Sequence, residues 1–289
     1  MHEVEVKGIL SAGNGMNLYR GCSHGCIYCD SRSTCYQMGH DFEDIEVKSN
    51  ALSLLESTLK HKRKKGMVGT GAMCDPYIPL ELSLCHTRKA LELIERYGFG
   101  AAIQTKSAGI LRDLDILKRI NQHTKCVVQM TLTTFDERLC SILEPYVSTT
   151  KERAEALEVL RDNGIPTVVW LSPILPYIND TRENIQGILD YCVKAQVKGI
   201  ICFGMGLTLR EGNREYFYRK LDENFPGMKQ RYIQEFGNAY EINSPGNKEL
   251  MGIFKQTCRE NGIMYNVNEI FEYLHTFENK DEGEQMCLF

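Results

Sequence analysis

No stretch of this sequence is apolar for long enough to cross a bilayer. The longest runs, such as Val168–Leu175, reach only about 6–8 residues, against the roughly 20 that a spanning helix needs. The opening, MHEVEVKGILSAG, carries neither an apolar signal core nor an Arg-rich transit pattern. A cytoplasmic protein is the expectation. Charge of one sign is lacking too: a net charge of −4 exerts no global pull on nucleic acid, so a polyanion would have to meet a local basic patch. There is no Pro-rich linker and no repeat of solenoid length. One domain is therefore expected over residues 1–277, followed by a polar, acidic and flexible tail over 278–289.

Apolar residues make up 43% and charged residues 25%, which suits a well-buried core. Short apolar runs at Asn17–Gly21, Met67–Met73, Ala101–Gln104, Cys126–Leu132, Thr167–Leu171 and Gly199–Phe203 predict strands. Helix-period segments lie between them near 49–63, 82–97, 109–121, 150–163 and 182–195, with others after 212. Gly66, Gly98 and Gly164 stand where helices should stop. Six strand–helix repeats with nearly continuous apolar strands imply a parallel sheet covered by helices. Either an open doubly wound sheet or a partial βα barrel satisfies the pattern, and in both, reactive groups collect at the C-terminal strand ends.

Cysteine is plentiful, at 12 residues, and in a reducing compartment that points to metal binding, catalysis or burial rather than disulfides. Three of them, Cys22, Cys26 and Cys29, crowd into eight residues directly after the first predicted strand. A loop loosened by Gly21 and Gly25 can wrap one face of an iron–sulfur cubane, and no fourth cysteine follows at a fixed short spacing, so one iron stays open. A zinc site completed by His24 or Cys35 is the competing reading, although the second ligand pair of a zinc knuckle is missing.

The spacing Cys-x3-Cys-x-aromatic-Cys, with Tyr28 as the aromatic, resembles the signature of the radical S-adenosylmethionine (SAM) superfamily. Further segments resemble its spore photoproduct lyase-like branch. These are Leu18-Tyr19-Arg20-Gly21-Cys22, Cys29-Asp30-Ser31-Arg32, Asp75-Pro76-Tyr77-Ile78-Pro79-Leu80-Glu81, Thr105-Lys106-Ser107 with Arg112-Asp113, and Pro173-Ile174-Leu175-Pro176 with Asn179-Asp180. They cover roughly residues 17–210 in the expected order. The resemblance implies an α/β fold, a partial (βα)6 TIM-like barrel with additional C-terminal helices. It also implies a 4Fe–4S cluster on Cys22, Cys26 and Cys29 whose open iron binds SAM, with an external one-electron reductant such as flavodoxin or ferredoxin. Reductive cleavage of SAM would then give a 5′-deoxyadenosyl radical.

By the same resemblance Tyr28 packs near the adenine and Lys106 meets the SAM carboxylate, a charge-assisted contact. Thr131 and Thr133, at the end of the fourth predicted strand, could set hydroxyls near the methionine part, although threonine is also an ordinary strand residue. Cys74, placed at the end of the second strand, stands close to where the thymine-dimer lyase keeps a hydrogen-donating cysteine. A thiol suits that work; a small buried residue is the plain alternative. Cys140, on a predicted helix after the fourth strand, is a weaker candidate, and Cys35, Cys85, Cys126, Cys192, Cys202 and Cys258 are expected in the core.

Lys60-His61-Lys62-Arg63-Lys64-Lys65 is the one dense basic run, and a solvated helix end explains it better than phosphate contact. The last residues, Gln285-Met286-Cys287-Leu288-Phe289, resemble the Gln-x-x-Leu-Phe peptide with which bacterial repair proteins hold the DNA sliding clamp, through Gln285, Leu288 and Phe289. The expectation is a radical SAM enzyme acting on DNA in lesion repair or base modification. The alternatives are the same chemistry on a peptide or small molecule, or a non-catalytic iron–sulfur or zinc protein recruited to the replication clamp.

Overall fold

The computed structural model describes residues 1–281. Six parallel strands form the main sheet in the order Gly15–Met16, Met67–Thr70, Gly100–Thr105, Cys126–Thr131, Thr167–Trp170 and Gly199–Ile201. Their order in space is their order in sequence, as in a βα barrel. The first and sixth strands stand at the two edges, so the barrel is partial. Registers such as Val68 beside Ala101, Ile103 beside Val128 and Val169 beside Ile200 align the C-terminal ends on one face. The fourth strand, Cys-Val-Val-Gln-Met-Thr, is buried at every position, because helices cover one side and barrel interior fills the other.

Local signals explain the helices. Thr149 and Glu152 form a reciprocal capping box that starts helix Thr150–Asp162, whose buried face includes Ala154, Leu157 and Leu160. The Thr181 hydroxyl accepts the Asn184 N–H at 3.1 Å and opens Arg182–Lys194. Gly98 and Gly164 end their helices with positive φ. Gly66 does not, since the helix before it stops already at His61.

Past the sixth strand, an antiparallel hairpin pairs Gly206–Thr208 with Glu241–Asn243 and encloses helices Asn213–Asn224 and Met228–Phe236. Helices Asn247–Glu260 and Val267–His275 complete the fold, the latter placing Ile270 beneath the sixth strand. The expected architecture, a partial (βα)6 barrel with added C-terminal helices, is the one observed. Among the described residues, no helix is long and apolar enough to cross a membrane.

Two segments differ from expectation. Asn17–Gly21 is not the first barrel strand: Gly15–Met16 fills that place, and Tyr19–Arg20 joins a separate small sheet with Glu46–Lys48 and His2–Val4. The chain leaves the barrel there because Tyr19 is fully buried and its hydroxyl donates to the buried Glu81 carboxylate. Glu278, Lys280 and Asp281, assigned to the tail on composition, bond to Lys125, Asn121 and His123. Gln285, Cys287, Leu288 and Phe289 lie outside the described residues.

Candidate active site

The C-terminal ends of the strands surround a cavity of about 590 Å³. Its lining includes Cys22, Cys26 and Cys29 on one wall, the loop Gly71–Asp75 and Lys106 on the adjoining one, and Trp170, Phe203 and the Gly206–Thr208 hairpin opposite. A volume of this size accommodates a cofactor-sized molecule.

The cysteine loop rests on a platform formed by residues 143–146. Ile27 N–H donates to the Leu143 carbonyl at 3.0 Å, and Tyr146 N–H donates to the His24 carbonyl at 3.1 Å. Gly25 is required at this contact: its φ is +70°, and a Cβ would stand 3.0 Å from both Pro145 and Tyr146. The three thiols thus share one wall without disulfides. Among the described residues, His2, His40 and Asp44 bring three ligand-type atoms within 4.8 Å of one another, beside the outlying small sheet on whose strand His2 lies.

The thiols differ in their ease of ionisation. Cys22 is held below the usual thiol range, at about 6, first by the neighbouring Cys74 thiol. Cys74 is pushed up by the same contact and by burial. Burial raises Cys26 and Cys29. A wall of largely desolvated thiols, with one cation beside it, fits a ligand set whose negative charge is neutralised on binding metal.

Cys74 does not end a strand. The second strand stops at Thr70, and Cys74 lies in the following loop, 5% exposed and at the cavity wall. Gly71 makes the sharp exit possible, with φ at +99° and its hydrogen facing the Gln104 carbonyl, where a Cβ would be only 1.8 Å away. Asp75 pins the loop: its Oδ1 accepts from Tyr77 N–H at 2.8 Å and Thr105 Oγ1 at 2.7 Å, and its Oδ2 accepts the Lys106 N–H at 2.6 Å. His24 Nδ1 faces the same carboxylate at 3.5 Å.

Beneath the platform is a charged network that sequence reasoning missed. Glu144 and Arg153 are both wholly buried, paired at 2.5 Å. The Tyr28 hydroxyl donates to Glu144 Oε1, and the Lys106 ammonium lies 3.3 Å from the same oxygen and 3.1 Å from the Tyr28 hydroxyl. Arg153 Nη1 donates to the Thr131 carbonyl at 2.7 Å. Burial works against the charged forms, yet Arg153 and Lys106 keep the Glu144 carboxyl low, and Glu144 keeps Lys106 high. Tyr28 is raised by burial and then by Glu144.

The other expected residues divide. Tyr28, Lys106 and Thr131 line the cavity with the cysteines. Thr133 does not: it is wholly buried, its hydroxyl lies 3.3 Å from that of Thr134, and Asn179 and Asn184 take its carbonyl. The strand ends at Thr131, so the alternation that would carry Thr133 to the same side has stopped. Cys140 is buried beside Arg153 at 3.1 Å, away from the cavity lining. Cys35 is exposed rather than core, within 3.5 Å of Arg210, and Cys85 is half-buried. Cys126, Cys192, Cys202 and Cys258 are buried.

Of the remaining motif residues, Asp30, Ser31, Thr105 and Pro173 also line the cavity, and others are braces. Tyr77 donates to Asp113 at 3.1 Å, and Arg112 bridges Asp113 and Glu81 at 2.7 and 2.8 Å. Asn179 accepts the Leu175 N–H at 2.5 Å. The basic run Lys60–Lys65 leads into the start of the second strand, at the end of the barrel opposite the cavity. Phosphates flanking a group held in the cavity would not meet it. Trp170 and Phe203 were unforeseen as lining. Phe203, read as strand, follows the sixth strand at the cavity edge, 65% exposed.

A model of the Radical SAM superfamily matches residues 16–192. A protein of Methanocaldococcus jannaschii, named only as uncharacterized, is 32% identical over 169 residues, covering 58% of this chain and 62% of that one, so this chain spans less than two thirds of its length. A similarly named protein of the Acidianus two-tailed virus is 30% identical over 255 residues, covering 81% of this chain and 82% of the relative. Among solved structures, a doubly substituted spore photoproduct lyase with bound AdoMet and dinucleoside spore photoproduct superposes with a TM-score of 0.63 at 15% identity, over 87% of this chain and 75% of that chain. At that identity the likeness is one of fold.

Proposed function

This chain belongs to the radical SAM superfamily, and from that premise we propose that Cys22, Cys26 and Cys29 hold a 4Fe–4S cluster at the cavity wall for an enzyme that abstracts hydrogen from DNA. The observation that carries the cofactor assignment is the convergence of these three thiols with Lys106 on one cavity at the C-terminal strand ends. Together, cluster and SAM supply a 5′-deoxyadenosyl radical. The chain's own part is positioning and shielding. Tyr28 walls the site, its hydroxyl tied down to Glu144. Lys106 offers a cation for the carboxylate of SAM, and Thr131 a hydroxyl near its methionine part. Trp170 and Phe203 offer aromatic faces at the cavity edge.

Cys74 is the hydrogen donor to the product radical in this reading. It lines the cavity beside the three cysteines, 5% exposed, and its S–H donates to the Asp75 carbonyl at 3.6 Å, while burial and the neighbouring Cys22 push the thiol up. DNA as substrate is supported by the fold shared with a lyase whose structure contains a dinucleoside photoproduct, and by the Gln285–Phe289 peptide, which suits a sliding clamp.

Anaerobic reconstitution followed by SAM and dithionite yields 5′-deoxyadenosine from the wild-type protein, read by chromatography. No product from protein carrying a full complement of iron would sink the catalytic reading. On irradiated DNA, Cys74→Ala still consumes SAM but changes the product, with the repaired base falling at least tenfold; an unchanged product and rate reject the donor role. Truncation before Gln285 abolishes binding to a bacterial sliding clamp in a pull-down with purified proteins. If the intact chain does not bind either, the clamp proposal is wrong.

A further inference from the structure

We propose that Glu144, anchored by Arg153, is a positioning residue that fixes the Lys106 ammonium at the cavity wall and thereby sets the affinity for SAM; the inference rests on the cofactor assignment above. A lysine stem has four rotatable carbons, and ordering it is costly in entropy. Here both ends are tied. The Lys106 N–H donates to Asp75 at 2.6 Å, and the ammonium sits 3.3 Å from Glu144 and 3.1 Å from the Tyr28 hydroxyl. The side chain remains 19% exposed, so it is held and still open to the cavity.

The carboxylate is divided between two tasks. Oε1 receives Tyr28 and faces Lys106, while Oε2 takes Arg153 at 2.5 Å. Arg153 passes the constraint on through its 2.7 Å bond to the Thr131 carbonyl. One buried pair thus sets the relative places of the cysteine loop, the third strand's end and the fourth strand's end. Fold stability alone gives little reason for such a pair, because apolar residues of similar volume often serve as well or better. Without Glu144, Arg153 and Lys106 would be two cations facing each other, and Lys106 would be displaced from the wall.

The test is anaerobic equilibrium dialysis of SAM against reconstituted protein. Glu144→Gln/Arg153→Met removes the pair without leaving a wholly buried charge, because the Lys106 ammonium can turn through the cavity toward solvent. It should keep near-wild-type iron content and a cooperative melt, yet raise the SAM dissociation constant at least tenfold. Lys106→Met should raise it similarly, and adding the pair of changes to Lys106→Met should move it less than twofold further. An unchanged constant in the pair variant, or equal effects with and without Lys106, would show a purely structural brace and overturn the inference. Should the pair variant not fold, Glu144→Asp keeps both charges but shortens the reach, and it must weaken SAM at least threefold in wild type and under twofold in Lys106→Met. Failure of the wild type itself to bind SAM overturns the cofactor reading, and the inference with it.

Discussion

Cys26→Ala abolishes 5′-deoxyadenosine formation, by roughly a thousandfold or more, and leaves reconstituted protein with well under the four irons of an intact cluster. The magnitude follows from the wall's geometry. Three thiols are all that the loop offers, and each is a separate anchor rather than one of several interchangeable donors. Cys26 is the most enclosed of them, 5% exposed, and its thiol is raised chiefly by burial. Among the described residues the nearest substitutes are poorly placed: Cys35 is exposed and turned toward Arg210, and the Cys74 S–H donates to the Asp75 carbonyl on another loop.

Cys192→Ala is the matching control. That residue is equally buried but lies in helix Arg182–Lys194, packed in the core. Its loss should cost only about 1 kcal/mol of stability and leave iron content and SAM cleavage intact. Iron analysis, visible absorbance and product assay on the two variants separate ligand from packing residue. Full iron and activity in Cys26→Ala would remove it from the ligand set.

Much of this was legible in the sequence, for identifiable reasons. Parallel strands buried on both faces read as apolar runs, so all the strands from the second to the sixth fell within a few residues of their observed ends. The triplet was legible because its chemistry is local, three thiols in eight residues. Glu144 and Arg153 were not. A glutamate before a proline at a helix end, and an arginine inside Lys-Glu-Arg-Ala, look like solvated charges. What buries them is a bond between Tyr28 and Glu144 across 116 residues. The helix that leads to Glu144, Glu137–Leu143, was expected around Cys140, but its bounds were not legible. It is short, buries only Cys140 and Leu143, and owes its start to Asp136, whose carboxylate accepts the Leu139 N–H at 2.6 Å. Cys74 was placed on the right wall for an incomplete reason: the strand ends at Thr70, and it is Gly71 and Asp75 that bend the chain back to the cavity.

Glu144→Gln alone should destabilise the fold more than Glu144→Gln combined with Arg153→Met. In the single variant the Arg153 guanidinium stays wholly buried with no counter-charge, a loss on the order of 3–5 kcal/mol. In the paired variant no wholly buried charge is stranded, since Lys106 is 19% exposed and can turn toward solvent, and the loss should be smaller by about 2 kcal/mol or more, read as urea midpoints on the metal-free protein. Acid supplies an independent check of sign. The folded protein holds the Glu144 carboxyl below its ordinary range, so its contribution is complete above the unfolded carboxylate value and fades as pH falls through the depressed one. The gap between wild type and the paired variant should therefore persist from neutral pH down to about 5 and narrow below about 4. A gap that widened in acid, or a single variant as stable as the paired one, would mean that Glu144 is not the charge that compensates Arg153 in the core.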